Sequence, residues 1–385
     1  MHRRHALTAA SALVLIASAG LLVAGPLAPP AGPVAGTYKT LSEIEPRTAV
    51  NTANTPGDNT CAFKISQPGS YYLTDNAYIP ASRDGIQITA NNVTLDLNGF
   101  AIIGAVGSNS GITITGSQGC AVRNGAIRGF NSSGLYSQRP GCIFEHLTIS
   151  NNNYFGLFAA SYSQISDCVV QDSGSSGYVT SEGCVLRGCV AKGNGSAATD
   201  SGFNLGDRNV AIGCSASGNY GAGIFAGHGS RITDCQANSN AVGIQTYTTG
   251  LVTGCSSSQN TSDGIRAGND TTVRGCSCTY NGDDGIQGAD DCVISGNSCQ
   301  ANGFQASGAG VFLVGSNCRV EDNQLTYNRY GVLINNAYPD NFVARNTARN
   351  NSGGNFAVPA GTNMAPVVNP GTTFSGATAW SNFSF

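Results

Sequence analysis

A glycine followed by an apolar or aromatic residue returns at Gly85, Gly111, Gly134, Gly156, Gly177, Gly202, Gly223, Gly243, Gly264, Gly285, Gly310 and Gly331, at intervals of 20 to 26 residues. A period this short and steady specifies a solenoid, in which each repeat is one turn of chain and buries its apolar face only by stacking on the next. Between the glycines lie apolar pieces of three to five residues, separated by Gly, Asn, Asp and Ser, and no long segment carries a 3.6-residue apolar period. Short strands with polar corners define an all-β chain, a parallel β-solenoid of about twelve coils.

A second signature sets the register. Each repeat carries an apolar residue, two others, a Cys or a substitute, and usually an Asn five positions later. The Cys slot holds Cys168, Cys189, Cys214, Cys235, Cys255 and Cys276, with His146 before them and Asn297, Asn323 and Asn346 after. The Asn slot holds Asn151, Asn194, Asn219, Asn240, Asn260, Asn281, Asn302, Asn328 and Asn351, with Ser173 as the exception. Equivalent residues in stacked coils lie ~4.8 Å apart, so a repeated Asn becomes a ladder of amides hydrogen-bonded from coil to coil. His146, in the Cys column, is expected at the core or a corner.

The rest of the chain divides around this repeat. Arg3 and Arg4 precede an apolar run ending near Ala17-Ser18-Ala19, the pattern of a secretory signal, so residues 1–24 are expected to be a signal peptide or an N-terminal anchor. A Pro-rich linker (25–37), an N-terminal cap (38–84), the β-helix proper (85–354) and an aromatic capping tail (355–385) follow. Such a chain is expected to be exported, to an extracellular, cell-surface or periplasmic location. With Lys39, Lys64 and Lys192 as its lysines and a net charge of −3, it has no basic surface for nucleic acid. Its 14 Cys would ordinarily point to disulfides in an exported protein. Stacked in register at ~4.8 Å, however, they exceed the ~3.5–4.5 Å between Cβ atoms that a relaxed disulfide prefers. Most are therefore expected to be buried thiols, with Cys278/Cys299 and Cys292/Cys318 the best placed to bridge, and no second pair converges with Cys276 and Cys278 to hold zinc.

VTLDLNGF at Val93 to Phe100, the Gly-Ile strand starts and the Cys and Asn columns resemble the right-handed parallel β-helix repeats of the pectate-lyase-like superfamily, over about Asp84 to Asn351. The Pro-rich leader, TYKTLSEIEP at Tyr38 to Pro46 and QPGSYYLT at Gln67 to Thr74 resemble, more narrowly, exported bacterial β-helix proteins without an established activity. The resemblance implies a single right-handed parallel β-helix and supplies no reaction.

Chemistry is best placed in the coils that read SDGIRAGND and DDGIQGADD. Asp263 and Asp284 share the slot before the glycine and should stack, with Asp283 beside them; Arg266 and Gln287 point outward two residues past the glycine, and Asp270 and Asp291 stack farther on. Like charges in adjacent coils repel unless a cation, Arg266 or a raised pKa relieves them. Asp263, Asp283, Asp284 and Arg266 are thus the candidate catalytic set, and Asp263 with Asp284 the candidate Ca²⁺ site; equally, Asp suits a solvated turn. The motif pair resembles part of a polygalacturonase-type site. Gly227-His228-Gly229, however, precedes the acidic coils and no Arg-x-Lys follows, and the Asp-Pro-His of alginate epimerases and the calcium nonapeptide are absent. The outward slot also holds Tyr136, Phe158, Phe225, Gln245 and Gln287, which with His228 form a candidate surface for the apolar faces and hydroxyls of a sugar. Two functions stay open, a binding or structural module for a polysaccharide or cell-surface glycan and a polysaccharide hydrolase or lyase.

Overall fold

The computed structural model describes residues 46–116, 118–304, 308–369 and 376–385. The expected signal, linker and first part of the N-terminal cap lie outside the described residues. Every ladder between strands is parallel, and no helix occurs among the described residues, so none is long and apolar enough to cross a membrane. One sheet stacks 14 strands, from Cys61–Ile65 to Gly354–Ala357, which extends the glycine-anchored set by one strand at each end. The rest of each coil belongs to the second sheet, as two strands in most coils and as one continuous strand, Ala121–Arg128 or Ile143–Ser150, in those beginning at Gly111 and Gly134; the coil beginning at Gly264, for example, contributes Ile265–Ala267, Thr272–Arg274 and Ser277–Thr279.

The corners explain the Gly, Asn and Asp content. Asp270, Gly275 and Tyr280 each take positive φ in that one coil, and the same three positions do so along the stack. A left-handed residue turns the chain sharply, and Gly, Asn and Asp accept it at least strain. The residue immediately after the bend points inward, and two of these positions carry the Cys and Asn columns.

The anchor glycines have a different cause. A Cβ on Gly264 would lie 2.6 Å from the carbonyl oxygen of Gly285 and 2.6 Å from Nδ2 of Asn281, and one on Gly223 would lie 2.8 Å and 2.6 Å from the matching atoms of Gly243 and Asn240. Each anchor passes so close to the next coil that no side chain fits.

Both ladders form. From Asn194 to Asn355 each Nδ2 donates to Oδ1 of the next Asn at 2.7–3.3 Å. The same Oδ1 also accepts a main-chain N–H from the coil below, as Asn219 does from Asn194 at 3.0 Å. The Cys column passes into a second ladder at Asn297, which runs through Asn323 and Asn346 to Asn382 in the C-terminal tail. All 14 Cys are free and buried, including Cys278 with Cys299 and Cys292 with Cys318.

One coil corrects the expected register. Strand Ile143–Ser150 pairs Thr148 with Val169, which places Leu147, buried, in the Cys column and makes Asn152 the counterpart of Ser173. Oδ1 of Asn152 accepts the Phe130 N–H at 3.1 Å. His146 and Asn151 each fall one residue early, on the positive-φ bends, and are exposed. Of its two expected places His146 therefore takes the corner and not the core; its imidazole lies 3.8 Å from the Asp167 carboxylate at the surface.

Inward residues of the 14-stranded sheet form one column, Ile86, Ile112, Leu135, Leu157, Tyr178, Phe203, Ile224, Ile244, Ile265, Ile286, Val311 and Val332, all fully buried. Where Tyr178 and Phe203 stack at 4.7 Å, the facing strands carry the buried Ala191, Ala211 and Ala216, so large side chains on one wall meet small ones on the other. The tail closes the far end: Asn363–Met364 and Asn382–Ser384 pair with the last coil, and Phe356 packs on the core. Trp380 and Phe385 stay half-exposed, Arg345 lies over the Trp380 ring, and Phe374 is outside the described residues.

Candidate functional site

The outward row on the 14-stranded sheet is continuous. Tyr136, Phe158, Val179, Asn204, Phe225, Gln245, Arg266, Gln287 and Phe312 are successive register partners. Because strand side chains alternate, their neighbours Ile265 and Ala267 fill the core while the row itself is half-buried at the surface. Tyr136 and Phe158 lie 4.8 Å apart, and Phe155 and Tyr154 extend them into an aromatic platform, at 6.2 Å and 3.9 Å in turn. Tyr154 and Phe155 are additions to the expected set. Phe155 occupies the pre-glycine slot that Ser or Asp fills in many coils, and this was their sequence signal.

Two open hollows lie along the row. One, of about 500 Å³, is lined by Thr199, Asn204, Phe225, Gln245 and Arg266; the other, of about 380 Å³, by Gln245, Tyr247, Arg266, Asn269 and Gln287. Gln245 and Arg266 line both. His228 stands on the turn beside the second hollow, edge-on to Tyr247 at 4.4 Å and with Nδ1 2.6 Å from Oγ1 of Thr248.

The acidic residues sit behind this surface. Asp263 and Asp284 are buried and Asp283 half-buried, with carboxylate oxygens of all three within 4.8 Å of one another. Neither buried Asp is a solvated turn residue. Oδ1 of Asp263 accepts the Asp284 N–H at 3.2 Å, and Oδ1 of Asp284 accepts the Ala309 N–H at 2.8 Å. Asp84 and Ser176, in the same slot, likewise accept the N–H of Ser110 and Ser201. The slot thus supplies an acceptor to the coil above. The second oxygen turns outward: Oδ2 of Asp263 binds Nε and Nη2 of Arg266 at 2.8 and 2.6 Å, and Oδ2 of Asp284 faces Nε2 of Gln287 at 3.5 Å. Each Asp therefore braces the row residue three positions on. Asp270 and Asp291 are exposed bend residues.

Burial, reinforced by the Asp263 and Asp283 carboxylates and opposed by the Ala309 N–H, pushes Asp284 up to about 8. Asp283 is raised as well, by burial and then by Asp263, with Arg266 opposing. Ca²⁺ takes six to eight oxygens, whereas here both Asp263 oxygens and Oδ1 of Asp284 are already engaged and Arg266 supplies the cation. The acidic set does not fit a Ca²⁺ site.

The sequence matches the family model described as right handed beta helix region over residues 110–255 and 201–352. The chain belongs to this family. Among solved structures, this β-helix protein is similar to the A-module of mannuronan C-5 epimerase AlgE4 from Azotobacter vinelandii, with 17% identity over 77% of this chain and 88% of that one and a TM-score of 0.52. It is similar also to pectate lyase Pel9A, with 12% identity, 82% and 74% coverage and a TM-score of 0.31. A third is a tailspike protein of E. coli bacteriophage HK620 solved with a pentasaccharide, with 10% identity, 89% and 79% coverage and a TM-score of 0.37. No curated protein matches the sequence. At these identities the likeness is one of fold.

Proposed function

We propose that the protein is an exported β-helix that binds a glycan chain laid along the outward row, from the Tyr136 platform to Gln287, without cleaving it. The observation that carries this is the row itself, with aromatic faces and amides, interrupted once by Val179, in continuous register around an Arg266 held in place by a buried Asp263. Aromatic faces take the C–H faces of pyranose rings, amides and guanidinium N–H groups take hydroxyls, and the ~4.8 Å coil rise is close to the length of one pyranose unit. The eight residues from Tyr136 to Gln287 thus span about 34 Å at that rise, room for several sugars. The epimerase module, named for its action on mannuronan, shares this fold.

The catalytic reading is weaker because Asp263 and Asp284 lie behind the row with their oxygens engaged, so that Asp283 is the one carboxylate of the set at the surface. Affinity electrophoresis and calorimetry against neutral glucans and mannans and against polymannuronate and polygalacturonate, with and without Ca²⁺, test the proposal. Binding of a polymer that falls at least tenfold in Gln245→Ala and in Asp263→Asn/Arg266→Ala is expected. A polymer that binds both variants as it binds the native protein, or the release of new reducing ends or unsaturated products, overturns it.

A further inference from the structure

Another hollow, of about 620 Å³, opens at the corner that leads into the 14-stranded sheet and shares no lining residue with the two along the row. Tyr280 and Tyr327 line it, with Ala301 between them and Phe304 beside them. These three corner residues occupy one slot in successive coils, since Thr279 pairs with Gln300 and Gln300 with Thr326.

The slot is a left-handed bend, with φ of 57° at Tyr280 and 58° at Tyr327. Other coils fill it with Gly193, Gly218, Asp172 and Asn350, which accept that conformation readily, and with the smaller or flexible Ser239 and Gln259. A bulky aromatic there is an outlier, and the main chain does not ask for one: the bend is set by the N–H of Tyr280 on the Gln300 carbonyl and that of Tyr327 on the Arg349 carbonyl. Core packing does not explain the rings either, for both tyrosines are more than half exposed, as is Phe304. Aromatic surface placed twice against conformational preference, flanking one small residue, is the arrangement of a clamp.

The spacing selects the occupant. Two coil rises set the main-chain positions of the tyrosines ~9.6 Å apart at ~4.8 Å each, and rings projecting in parallel from that slot would stand the same distance apart. A flat aromatic ligand held against both rings needs only ~7 Å, two van der Waals contacts of ~3.5 Å. A chair pyranose is thicker and offers C–H groups on both faces, and it fills the wider gap. The geometry points to a second carbohydrate site, a clamp for one pyranose ring between Tyr280 and Tyr327 over Ala301. It stands apart from the outward row and does not depend on a glycan occupying that row.

Saturation-transfer NMR on the full chain, with cellotetraose, maltotetraose and mannotetraose as sugar probes and naphthalene-2-sulfonate as a planar one, tests the clamp. All arms are run in the Asp263→Asn/Arg266→Ala background, in which the outward row is disabled. Expected there is transfer to pyranose ring C–H protons of at least one tetrasaccharide, weakened at least tenfold by Tyr280→Ala and by Tyr327→Ala and abolished by Ala301→Phe. The inference is overturned if no tetrasaccharide shows transfer in that background, if transfer survives the tyrosine and Ala301 substitutions, or if the planar probe alone is captured. Transfer seen in the native chain and absent from that background overturns it and leaves the outward row standing.

Discussion

Replacing Asp284 by Asn isolates the energetic consequence of burying a carboxyl group behind the row. Asn is nearly isosteric and keeps the Oδ1 acceptor that the Ala309 N–H requires, so the change removes mainly the titration. In the folded chain burial and the neighbouring carboxylates hold Asp284 at about 8, against 3.8 for an unperturbed Asp. A folded value above the unfolded one means that the folded protein binds the proton more tightly. The stabilisation is complete below pH ~4, declines as pH rises through the window between the two values, and is gone above pH ~8. Each pH unit in that window is worth about 1.4 kcal/mol, which makes the whole span on the order of 5 kcal/mol. Chemical unfolding of both proteins, followed by far-ultraviolet circular dichroism at intervals from pH 4.5 to 9, reads the difference directly. Other titrating groups contribute to both proteins and largely cancel. The native chain is expected to lose stability relative to Asp284→Asn by several kcal/mol between pH 5 and 8, and the variant to be the more stable form at pH 9. A difference flat to within ~0.5 kcal/mol over that range refutes the claim that Asp284 is held protonated by burial.

Three further outcomes follow from the same geometry. Arg266→Ala strands the buried Asp263 carboxylate and is expected to cost about 2 kcal/mol of unfolding free energy, most of it recovered in Asp263→Asn/Arg266→Ala, because Asn still accepts the Asp284 N–H. Asn152→Ala removes the acceptor for the Phe130 N–H and is expected to cost about 1–2 kcal/mol, whereas Asn151→Gly, on an exposed bend, stays within ~0.5 kcal/mol; melting temperatures of the two variants check the corrected register. Native protein treated with iodoacetamide is expected to keep all 14 thiols unmodified by intact-mass measurement, and to gain 14 adducts after unfolding, since every Cys is buried and free.

The sequence made the solenoid legible because its determinants are local and repeated. An anchor glycine recurs wherever two coils approach too closely for a Cβ, and the period-2 alternation of each strand projects the outward row without knowledge of anything else. Register failed in one place for a definable reason. Around Asn151 the chain reads Asn-Asn-Asn in a coil one residue longer than its neighbour, so three residues of one type competed for a single inward slot. Burial of Asp263 and Asp284 was hidden for another reason, as the N–H groups they satisfy belong to the following coil. The Tyr280 and Tyr327 pair is not legible in the sequence, because Ala301 interrupts it and the other occupants of the slot, Gly, Asp, Asn, Ser and Gln, share no common chemistry.

Hydroxyl-radical footprinting of the protein saturated with the polymer that binds it best tests the central claim most directly. The outward row is predicted to show protection at Tyr136, Phe158 and Phe225, with Trp380 at the far end of the stack unchanged. Equal oxidation of the three row aromatics with and without the polymer would contradict it.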